Sequence, residues 1–435
     1  MGLIDRIANS SLQHEDKSLR CANFLQELLG KETWGRLQIR FWDGRSWGAP
    51  NPRCTLVLKH PGTLRRLCTD PSELSLGEAY IYDDVEIEGN IETVFELADE
   101  LLEFGGSGIG HRVRLMKLFH ELPDDEDSPF PKEPARKLFG PLHSKNRDSQ
   151  AVRYHYDLPP DFFALFLDHA MQYSSAYFKN RDETDLDKAQ ERKMDYVCRK
   201  LQLRAGETLL DIGCGWGGLL VHAAANYGVR VLGITLSVPQ AEAARERVRN
   251  AGLNEQCRVE VCDYRDLEGA QSFDKIVSVG MFEHVGHEML PEFFEAACQR
   301  LKIGGLFLNS GISASALDQE RGPSFIDRYV FPDGDLVPIS AALSAAEIAG
   351  FEVRDVENLR EHYGLTLRQW VRRLEQRADD ARRLTDETTY RIWRLYMAGS
   401  AQRFLAGRLN TYQSLLLKGS NEGCLPLTRD GWYCD

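Results

Sequence analysis

The chain has 435 residues, of which 43% are hydrophobic and 27% are charged, and these values are typical of a globular protein with more than one core. Its formal net charge of −13 argues against nucleic-acid binding as a general property. No window approaches the roughly 20 apolar residues of a transmembrane helix, and the N-terminus lacks the apolar core of a signal peptide. We therefore expect a cytoplasmic protein. Its ten cysteines lack CxxC spacing, which favours reduced thiols and no metal site.

Residues 1–128 have the pattern of a small α+β domain. Leu37–Trp42 and Cys54–Lys59 have the composition of strands, and a turn-rich stretch joins them. Ile91–Phe104 then carries apolar residues at helical spacing. An acidic run and a stretch rich in proline and basic residues follow, so we predict a linker over 129–150.

Residues 151–435 alternate short strands with helices, which predicts an α/β domain with a mostly parallel sheet and helices on both faces. The predicted strands are Thr208–Ile212, Val229–Ile234, Arg258–Val261, Phe273–Val279, Leu306–Ile312, Phe351–Val356 and Gln413–Leu417. The predicted helices between them are Leu219–Tyr227, Val238–Ala251, Leu290–Leu301 and Ser340–Ala349. Residues 367–409 have a mainly helical pattern, and we expect them to be an insertion ahead of the last strand.

The glycine-rich segment 211–218, DIGCGWGG, follows a predicted strand and opens a helix. Glycines there permit a tight turn and let backbone N–H groups approach a ligand closely. The segment lacks the Gly-Lys-Ser/Thr ending of a phosphate-binding Walker loop. Two features favour S-adenosylmethionine (SAM) over a nicotinamide cofactor. First, Asp211 can accept a hydrogen bond from the ammonium of a methionyl group or organise the loop. Second, the next strand is followed by a segment with Thr235 and Gln240, and it lacks the acid that usually binds the ribose of NAD. The alternative for this second stretch is simple helix capping, for which Ser237 is a candidate.

Three other segments contain residues suited to chemistry. The aromatic-rich stretch 154–178, which includes Tyr173, can cover a site and face a cation, although ordinary packing explains most of its rings equally well. Glu283 and His284 follow a core strand, at the sheet edge where ligands of open α/β sheets sit. A structural carboxylate is the alternative for Glu283. Tyr363 follows the sixth strand, and we expect it to donate into the pocket from a loop.

Together these segments resemble the cyclopropane-fatty-acyl-phospholipid synthase family, which includes the mycolic acid cyclopropane synthases. The matching strings are YHYDLPPDFF, MQYSSAYF, LLDIGCGWGG, GITLSVPQ, MFEHVGH, FIDRYVFPDG and HYGLTLRQW, in family order between residues 154 and 370. LSLGEAYIYDDVEIEGNIETVFELAD also resembles the extra domain of the bacterial full-length synthases. The resemblance implies a Rossmann-like class I SAM-dependent methyltransferase with a seven-stranded sheet. It also implies methyl transfer to a cis double bond of a phospholipid acyl chain, followed by ring closure to a cyclopropane, at the inner face of a membrane.

The resemblance also implies roles for individual residues. The SAM contacts of the family fall here on Tyr173, Ser174, Gly213, Gly215, Thr235, Leu236 and Gln240, with Tyr264 and Arg265 near the adenine. Asp211 and Gly217 of the glycine-rich segment complete the predicted cofactor-binding set. The family holds a bicarbonate ion that takes the proton lost on ring closure. Its ligands map to Ser175, Glu283, Asn309, Gly311 and Tyr363.

Four positions depart from the family pattern. The family usually has cysteine at 175, histidine at 309, isoleucine at 311 and a late cysteine where Ser400 stands. The residues at 175 and 311 act through backbone N–H groups, so Ser175 and Gly311 can keep those bonds. Asn309 can donate through its amide, but it cannot titrate or carry charge. We therefore expect methyl transfer to persist, while the fate of the resulting cation is open.

We predict cyclopropane formation on a phospholipid acyl chain. The first alternative is a methyl- or methylene-branched acyl chain, and the second is non-catalytic binding of SAM or lipid. The ten arginines from Arg368 to Arg408 form either a basic face for an anionic membrane or, as we favour, a solvated helical surface with paired acids. The N-terminal domain would contact the bilayer or a second subunit, so a homodimer is compatible with the sequence.

Overall fold

The structure is a computed structural model that describes residues 3–96, 109–124, 138–156, 158–315, 324–419 and 425–433. By its internal contacts the chain divides into two compact units. The first comprises Met1–Ala135, Pro323–Phe325 and Glu387–Gln402, and the second comprises Arg136–Gly322, Ile326–Asp386 and Arg403–Asp435. This division differs from the predicted domain bounds, because part of the predicted insertion 367–409 groups with the N-terminal residues.

The first unit is built on a four-stranded sheet in the order β2-β1-β3-β4. β1 runs parallel to β3, and the other neighbours are antiparallel. The strands are β1 Gln38–Phe41, β2 Ser46–Gly48, β3 Cys54–Leu58 and β4 Val85–Gly89. Its helices include Leu3–Trp34, interrupted at Gly30, and Thr63–Thr69, Glu73–Ile81 and Ile109–His120. Both predicted strands are confirmed, while the predicted helix Ile91–Phe104 lies mostly outside the described residues.

Two of the ten arginines are buried within this first unit. Arg391 is 5% exposed and donates to the carbonyl of Tyr80 at 2.8 Å. Arg394 is 7% exposed and donates to the Tyr80 hydroxyl at 2.8 Å and to the carbonyl of Ile87 at 3.1 Å. The favoured interpretation as a solvated surface is therefore wrong for these two residues. Arg382, by contrast, is paired with an exposed acid on its own helix, as that interpretation expects.

The second unit contains a seven-stranded sheet in the order β10-β11-β9-β8-β5-β6-β7, in which β11 alone runs against the other described strands. The strands are β5 Thr208–Ile212, β6 Arg230–Thr235, β7 Cys257–Val261, β8 Phe273–Val279, β9 Leu301–Ala314, β10 Phe351–Asn358 and β11 Leu409–Lys418. Successive residues of a strand face opposite sides of the sheet. Leu209 and Leu210 of β5 accordingly belong to separate buried clusters. The predicted α/β fold class is confirmed.

Most of the other described helices lie in the second unit, and the last of them, Glu387–Leu405, lies mostly in the first. Their bounds are Lys145–Tyr156, Pro160–Ala164, Leu186–Lys200, Gly218–Tyr227, Val238–Asn250, Leu290–Arg300, Phe325–Tyr329, Ile339–Ile348, Arg360–Gln376, Ala378–Leu384 and Glu387–Leu405. The predicted linker 129–150 thus ends inside a helix. No helix in the described part of the chain combines the length and apolar character needed to cross a bilayer.

Candidate active site

A pocket lies beyond the carboxyl ends of β5, β6, β7 and β8, with an empty volume of about 1080 Å³ including its open mouth. This is the sheet edge where the sequence placed the cofactor. The lining includes every predicted cofactor residue except Gly217: Tyr173, Ser174, Asp211, Gly213, Gly215, Thr235, Leu236, Gln240, Tyr264 and Arg265.

Glycines shape the wall of the pocket next to β5. Gly213 has a φ of 85°, and a Cβ added there would lie 2.9 Å from the Cβ of Met281. Gly217 has a φ of 79° and precedes the helix Gly218–Tyr227, where an added Cβ would lie 3.0 Å from the Cβ of Ala244. Gly217 therefore serves the close packing of two helices, and Gly213 serves the turn that faces the ligand.

Asp211, the penultimate residue of β5, has a buried carboxyl group on the pocket wall. Its Oδ2 atom has no hydrogen-bond partner among the described residues. Burial raises the pKa of this carboxyl group to about 7, and the positive charge of Lys193 opposes that rise. A ligand ammonium would supply the missing partner, so the residues present fit the methionyl end of SAM.

Thr235 and Gln240 form one polar unit at the end of β6. The Thr235 hydroxyl donates to Oε1 of Gln240 at 2.8 Å and accepts from the Ser237 N–H at 3.2 Å. Ser237 caps the helix Val238–Asn250 by accepting from the Gln240 N–H. Since Oε1 of Gln240 is already engaged, its amide nitrogen is the end that can serve a ligand hydroxyl.

Arg265 was predicted to lie near the adenine, and its guanidinium is instead committed to protein acceptors. It donates to Asp263 at 2.7 and 2.8 Å, to Asp148 at 2.9 Å and to the carbonyl of His143 at 3.1 Å. Arg265 therefore holds Asp263 and the helix Lys145–Tyr156 against the pocket. Neither Asp148 nor Asp263 was predicted from the sequence. For Asp263 there was a recognisable signal, because it is an acid that follows the third strand of the α/β domain.

The lining also contains aromatic residues outside the predicted cofactor set. Tyr156 lines the pocket from the helix Lys145–Tyr156, Trp216 from the loop after β5, and His284 from the short 3-10 helix after β8. Burial lowers the pKa of His284 to about 4, so its imidazole is neutral at physiological pH. The Tyr156 and His284 rings lie 6.3 Å apart, centroid to centroid. These rings give the pocket an apolar wall suited to excluding water.

Glu283 lies on the short 3-10 helix Phe282–His284, directly after β8. Its Oε1 atom accepts from the backbone N–H of Ile312 on β9 at 2.7 Å. Its Oε2 atom is buried with no hydrogen-bond partner in the described part of the chain. Burial raises the pKa of Glu283 to about 7, and the Ile312 N–H opposes that rise. Glu283 is thus a buried base with one oxygen available, and its backbone partner is one residue beyond the predicted Gly311.

Asn309 and Gly311 lie on β9, where Asn309 is paired in register with Ser278 of β8. Asn309 is buried, and its Oδ1 atom has no partner within the described ranges. A Cβ at Gly311 would lie 2.9 Å from Cδ1 and 3.1 Å from Cβ of Phe282. The usual isoleucine would therefore collide with Phe282 unless that residue moved.

Tyr363 lies on the helix Arg360–Gln376, so its predicted placement on a loop is wrong. The helix begins this early because the Asn358 side chain accepts from the Arg360 N–H, and the Tyr363 N–H already bonds the Leu359 carbonyl. The Tyr363 ring packs edge-on against Trp370, which stacks on the pocket residue Tyr173 at 5.1 Å. Tyr363 thus contacts the pocket wall indirectly, through the ring of Trp370.

Ser175 and Ser400 have ordinary local environments. The Ser175 hydroxyl donates to the carbonyl of Ala176 at 3.1 Å. Ser400 is buried on the helix Glu387–Leu405, in the part that groups with the first unit. Among the described residues, the pocket lining includes neither serine, nor Glu283, Asn309, Gly311 or Tyr363.

One cluster of the described residues has the composition of a metal site: Asp168, His169 and Asp187. Its oxygens already have partners. Asp168 accepts from the N–H groups of Ala170 and Gln172, and Asp187 accepts from His169 and Arg373. The cluster is therefore explained by its own hydrogen bonds.

Comparisons with known proteins agree with this site. The family model described as mycolic acid cyclopropane synthetase matches residues 143–414. The chain belongs to this family. A second model, described as a domain of unknown function, matches residues 24–102.

Three members or relatives show how far the similarity extends. A protein of Pseudomonas putida named "Probable fatty acid methyltransferase" is 42% identical over 404 residues, covering 91% of this chain and 96% of its own. The cyclopropane-fatty-acyl-phospholipid synthase of Escherichia coli is 37% identical over 287 residues, covering 66% and 72%. The crystal structure of mycolic acid cyclopropane synthase CmaA1 complexed with SAH and CTAB is 36% identical, with a TM-score of 0.59 over 62% of this chain and 98% of that one.

The family consists of SAM-dependent lipid methyltransferases, and the residues of the pocket beyond β5 and β6 fit SAM. Asp211, Thr235 and Gln240 are the polar side chains that would hold it there. SAM supplies an electrophilic methyl group when bound.

Proposed function

We propose that the protein transfers the methyl group of SAM to the cis double bond of an unsaturated phospholipid acyl chain, and that the product is a methylene-branched chain. The observation that carries this proposal is the altered proton-acceptor region, in which Glu283 keeps an available oxygen but Asn309 replaces the titratable histidine of the resemblance. The Pseudomonas relative that matches nine tenths of the chain, and whose name describes a fatty acid methyltransferase, supports it.

The chemistry balances for both products. The π electrons of the alkene form a bond to the methyl carbon while the carbon–sulfur bond breaks, which leaves S-adenosylhomocysteine and a cation on the other alkene carbon. Loss of a methyl proton with ring closure gives a cyclopropane. A hydride shift from the methyl-bearing carbon to the cation, followed by loss of a methyl proton, gives a methylene branch (C=CH2) on the open acyl chain.

The chain's own residues accept that proton and hold the cation. The buried Glu283 carboxylate, with a pKa near neutrality, suits a general base. Its available oxygen can also accept the hydroxyl of a bicarbonate ion while Asn309 donates its amide N–H, so the residues present fit that ion. The ring of Tyr173 lines the pocket and stacks on Trp370, and an aromatic ring attracts positive charge through its π electrons.

The test is product analysis with SAM that carries heavy carbon in its methyl group, incubated with vesicles of a cis-monounsaturated phospholipid. Carbon NMR of the lipid distinguishes the two products, which share one mass. We expect the label in an alkene methylene signal. A far-upfield ring signal would identify a cyclopropane synthase, the second candidate, which the retained Glu283 and Tyr363 favour. No label in lipid would overturn both and leave a binding protein.

We also propose that the enzyme meets its substrate at a bilayer through the loop before the helix Lys145–Tyr156. Phe139 and Leu142 are 71% and 59% exposed on this loop. The loop is ordered, because Gln150 exchanges two hydrogen bonds with the backbone of Phe139 at 3.0 and 3.1 Å. The helix that follows lines the SAM pocket, so apolar anchors here would place the bilayer beside the site.

Serine at both positions should weaken sedimentation with phospholipid vesicles by roughly 100-fold or more, since burying each apolar side chain contributes about 1.5–3 kcal/mol. Leu427→Ser is the matched control, because Leu427 is a fully exposed leucine outside this loop. Equal binding by the double variant and the native protein would exclude this loop as the anchor.

A further inference from the structure

We propose that Lys193, a buried lysine outside the predicted site, positions the pocket wall that receives the amino-acid end of SAM. It is a positioning residue, because it acts through Gln172, Ser174 and Asp211. The proposal rests on the SAM site and is independent of which lipid product forms.

The helix Leu186–Lys200 holds the segment that forms this wall. Lys193 is 1% exposed, and its ammonium donates to the Gln172 side-chain carbonyl and, at 2.9 Å, to the Ser174 hydroxyl. Gln190 on the same helix donates to the backbone carbonyls of Gln172 at 3.3 Å and Ser174 at 2.9 Å. Gln172 and Ser174 both line the pocket. Two neighbouring side chains of one helix therefore fix the backbone and the side chains of the wall.

The wall has a backbone conformation that needs such support. Met171, between Ala170 and Gln172, has a φ of 55°, which is a strained region for a residue with a side chain. Asp168 restrains the entry to the segment, since its carboxylate accepts from the Gln172 N–H at 2.7 Å and its carbonyl accepts from the Met171 N–H at 2.9 Å. Lys193 restrains the exit at Ser174. Strain held from both ends is typical of a segment preorganised for a ligand.

The positive charge of Lys193 also acts on the carboxylates behind the wall. Burial lowers its pKa to about 8, and Asp168 and Asp211 oppose that effect. Lys193 in turn opposes the rise in the pKa of Asp211, whose Oδ2 atom lacks a partner among the described residues. A buried ammonium costs folding free energy that an apolar side chain of similar length would not. The charge of Lys193 therefore shifts Asp211 toward its ionised form, which is the form that binds a ligand ammonium.

These contacts all lie at one end of the pocket. Asp211 and Ser174 stand by β5, whereas Asp263 and Tyr264 follow β7, two strands away in the sheet. Lys193 bonds residues at the first end alone, within the described part of the chain. Removing its charge should therefore weaken ligands that carry the amino-acid group and spare ligands that lack it.

The experiment measures calorimetric dissociation constants of the full chain for SAM and for methylthioadenosine, which lacks the amino-acid part. In Lys193→Met we expect the constant for SAM to rise roughly 10- to 100-fold, because hydrogen bonds to a charged group are lost, and that for methylthioadenosine to change less than about twofold. Lys200→Met is the matched control. Lys200 is a fully buried lysine of the same helix that pairs with Glu357, so its loss should lower stability without changing the ratio of the two constants.

Lys193→Gln covers the case in which the methionine variant does not fold, because glutamine keeps a donor without the charge. We expect it to weaken SAM selectively by a smaller factor. Unchanged SAM affinity, or an equal loss for both ligands, in either folded variant would overturn the proposal. Since neither ligand involves lipid, a failed lipid assay and a failed positioning role are distinguishable.

Discussion

The SAM pocket and the Glu283 region lie at the same edge of one sheet, yet they differ in how their polar atoms are satisfied. In the pocket, Thr235 bonds Gln240 and Arg265 bonds Asp263, and Oδ2 of Asp211 is the exception that lacks a partner among the described residues. In the other region, Oε2 of Glu283 and Oδ1 of Asn309 find no partner among the described residues. A buried polar atom without a partner costs about 1–3 kcal/mol. The first region is therefore largely built in advance, and the second is completed by what enters it.

The largest expected effect comes from Glu283→Gln, which removes the base and keeps its shape. Turnover should fall about 10²- to 10⁴-fold, the usual contribution of a positioned general base, while the SAM dissociation constant stays within about twofold. Transfer of labelled methyl groups into vesicle lipid and calorimetry measure the two quantities. Glu292→Gln, at an exposed carboxylate, is the control. Near-normal turnover in Glu283→Gln would falsify the role of Glu283 as the base.

Turnover and SAM affinity should both depend on pH, because burial raises the pKa of Glu283 and of Asp211 to about 7. Each group acts as a carboxylate. Turnover should therefore rise about tenfold per pH unit up to pH 7 through Glu283, and SAM affinity should rise similarly through Asp211. Stability runs the other way. A carboxyl group with a raised pKa favours the folded state when protonated, so this contribution is present below the ordinary pKa and is lost as the pH rises through 7.

Variants assign the two pH limbs to their residues. Glu283→Gln should flatten the turnover limb at its reduced level and leave the SAM-affinity limb in place. Asp211→Asn should flatten the affinity limb. Titration of turnover and of the SAM dissociation constant between about pH 5 and pH 9 measures both. If one variant removed both limbs, the two regions would not be independent.

Asn309→His should have the smallest effect on rate and a clear effect on product. An imidazole can accept and pass on a proton where an amide cannot. We expect turnover within about fivefold of native, and a several-fold increase in the ring fraction seen by carbon NMR of the lipid. Asn410→His, at a position bonded to Asn358 on the neighbouring strand, is the control. An unchanged product ratio would mean that residue 309 does not steer the cation.

The sequence predicted most of the residues that line the pocket, because Asp211 and Thr235 lie at the carboxyl ends of strands, and such ends meet at one edge of a parallel sheet. Gln240 lies in the first turn of the helix that follows β6. The sequence predicted fewer of the hydrogen bonds that join residues distant in the chain. The bond from Ile312 to Glu283 depends on where the loop after β8 meets β9, and no local pattern gives that. Arg265 carried a ligand role in the resemblance, yet the Asp148 that engages it comes from a helix 117 residues earlier.

Segment 360–376 shows a different limit. Its strand-adjacent position suggested a loop. The chain instead enters a helix two residues after Asn358, whose side chain accepts from the Arg360 N–H, and composition does not distinguish such a contact from a turn. Arg391 and Arg394 are similar cases. Ten arginines between Arg368 and Arg408 suggest a surface, and the two that are buried are identified only by the carbonyls that they bond in the N-terminal unit, Tyr80 on a helix and Ile87 on β4.

The close approach of Gly311 to Phe282 sets the order in which this active site can be re-engineered. A side chain at 311 meets both the ring and the Cβ of Phe282, so an isoleucine introduced there alone should be destabilising, however well it suits the chemistry. A smaller residue at 282 must come first or together with it. The two positions form an epistatic pair, and residue 309 is the one that can be exchanged singly.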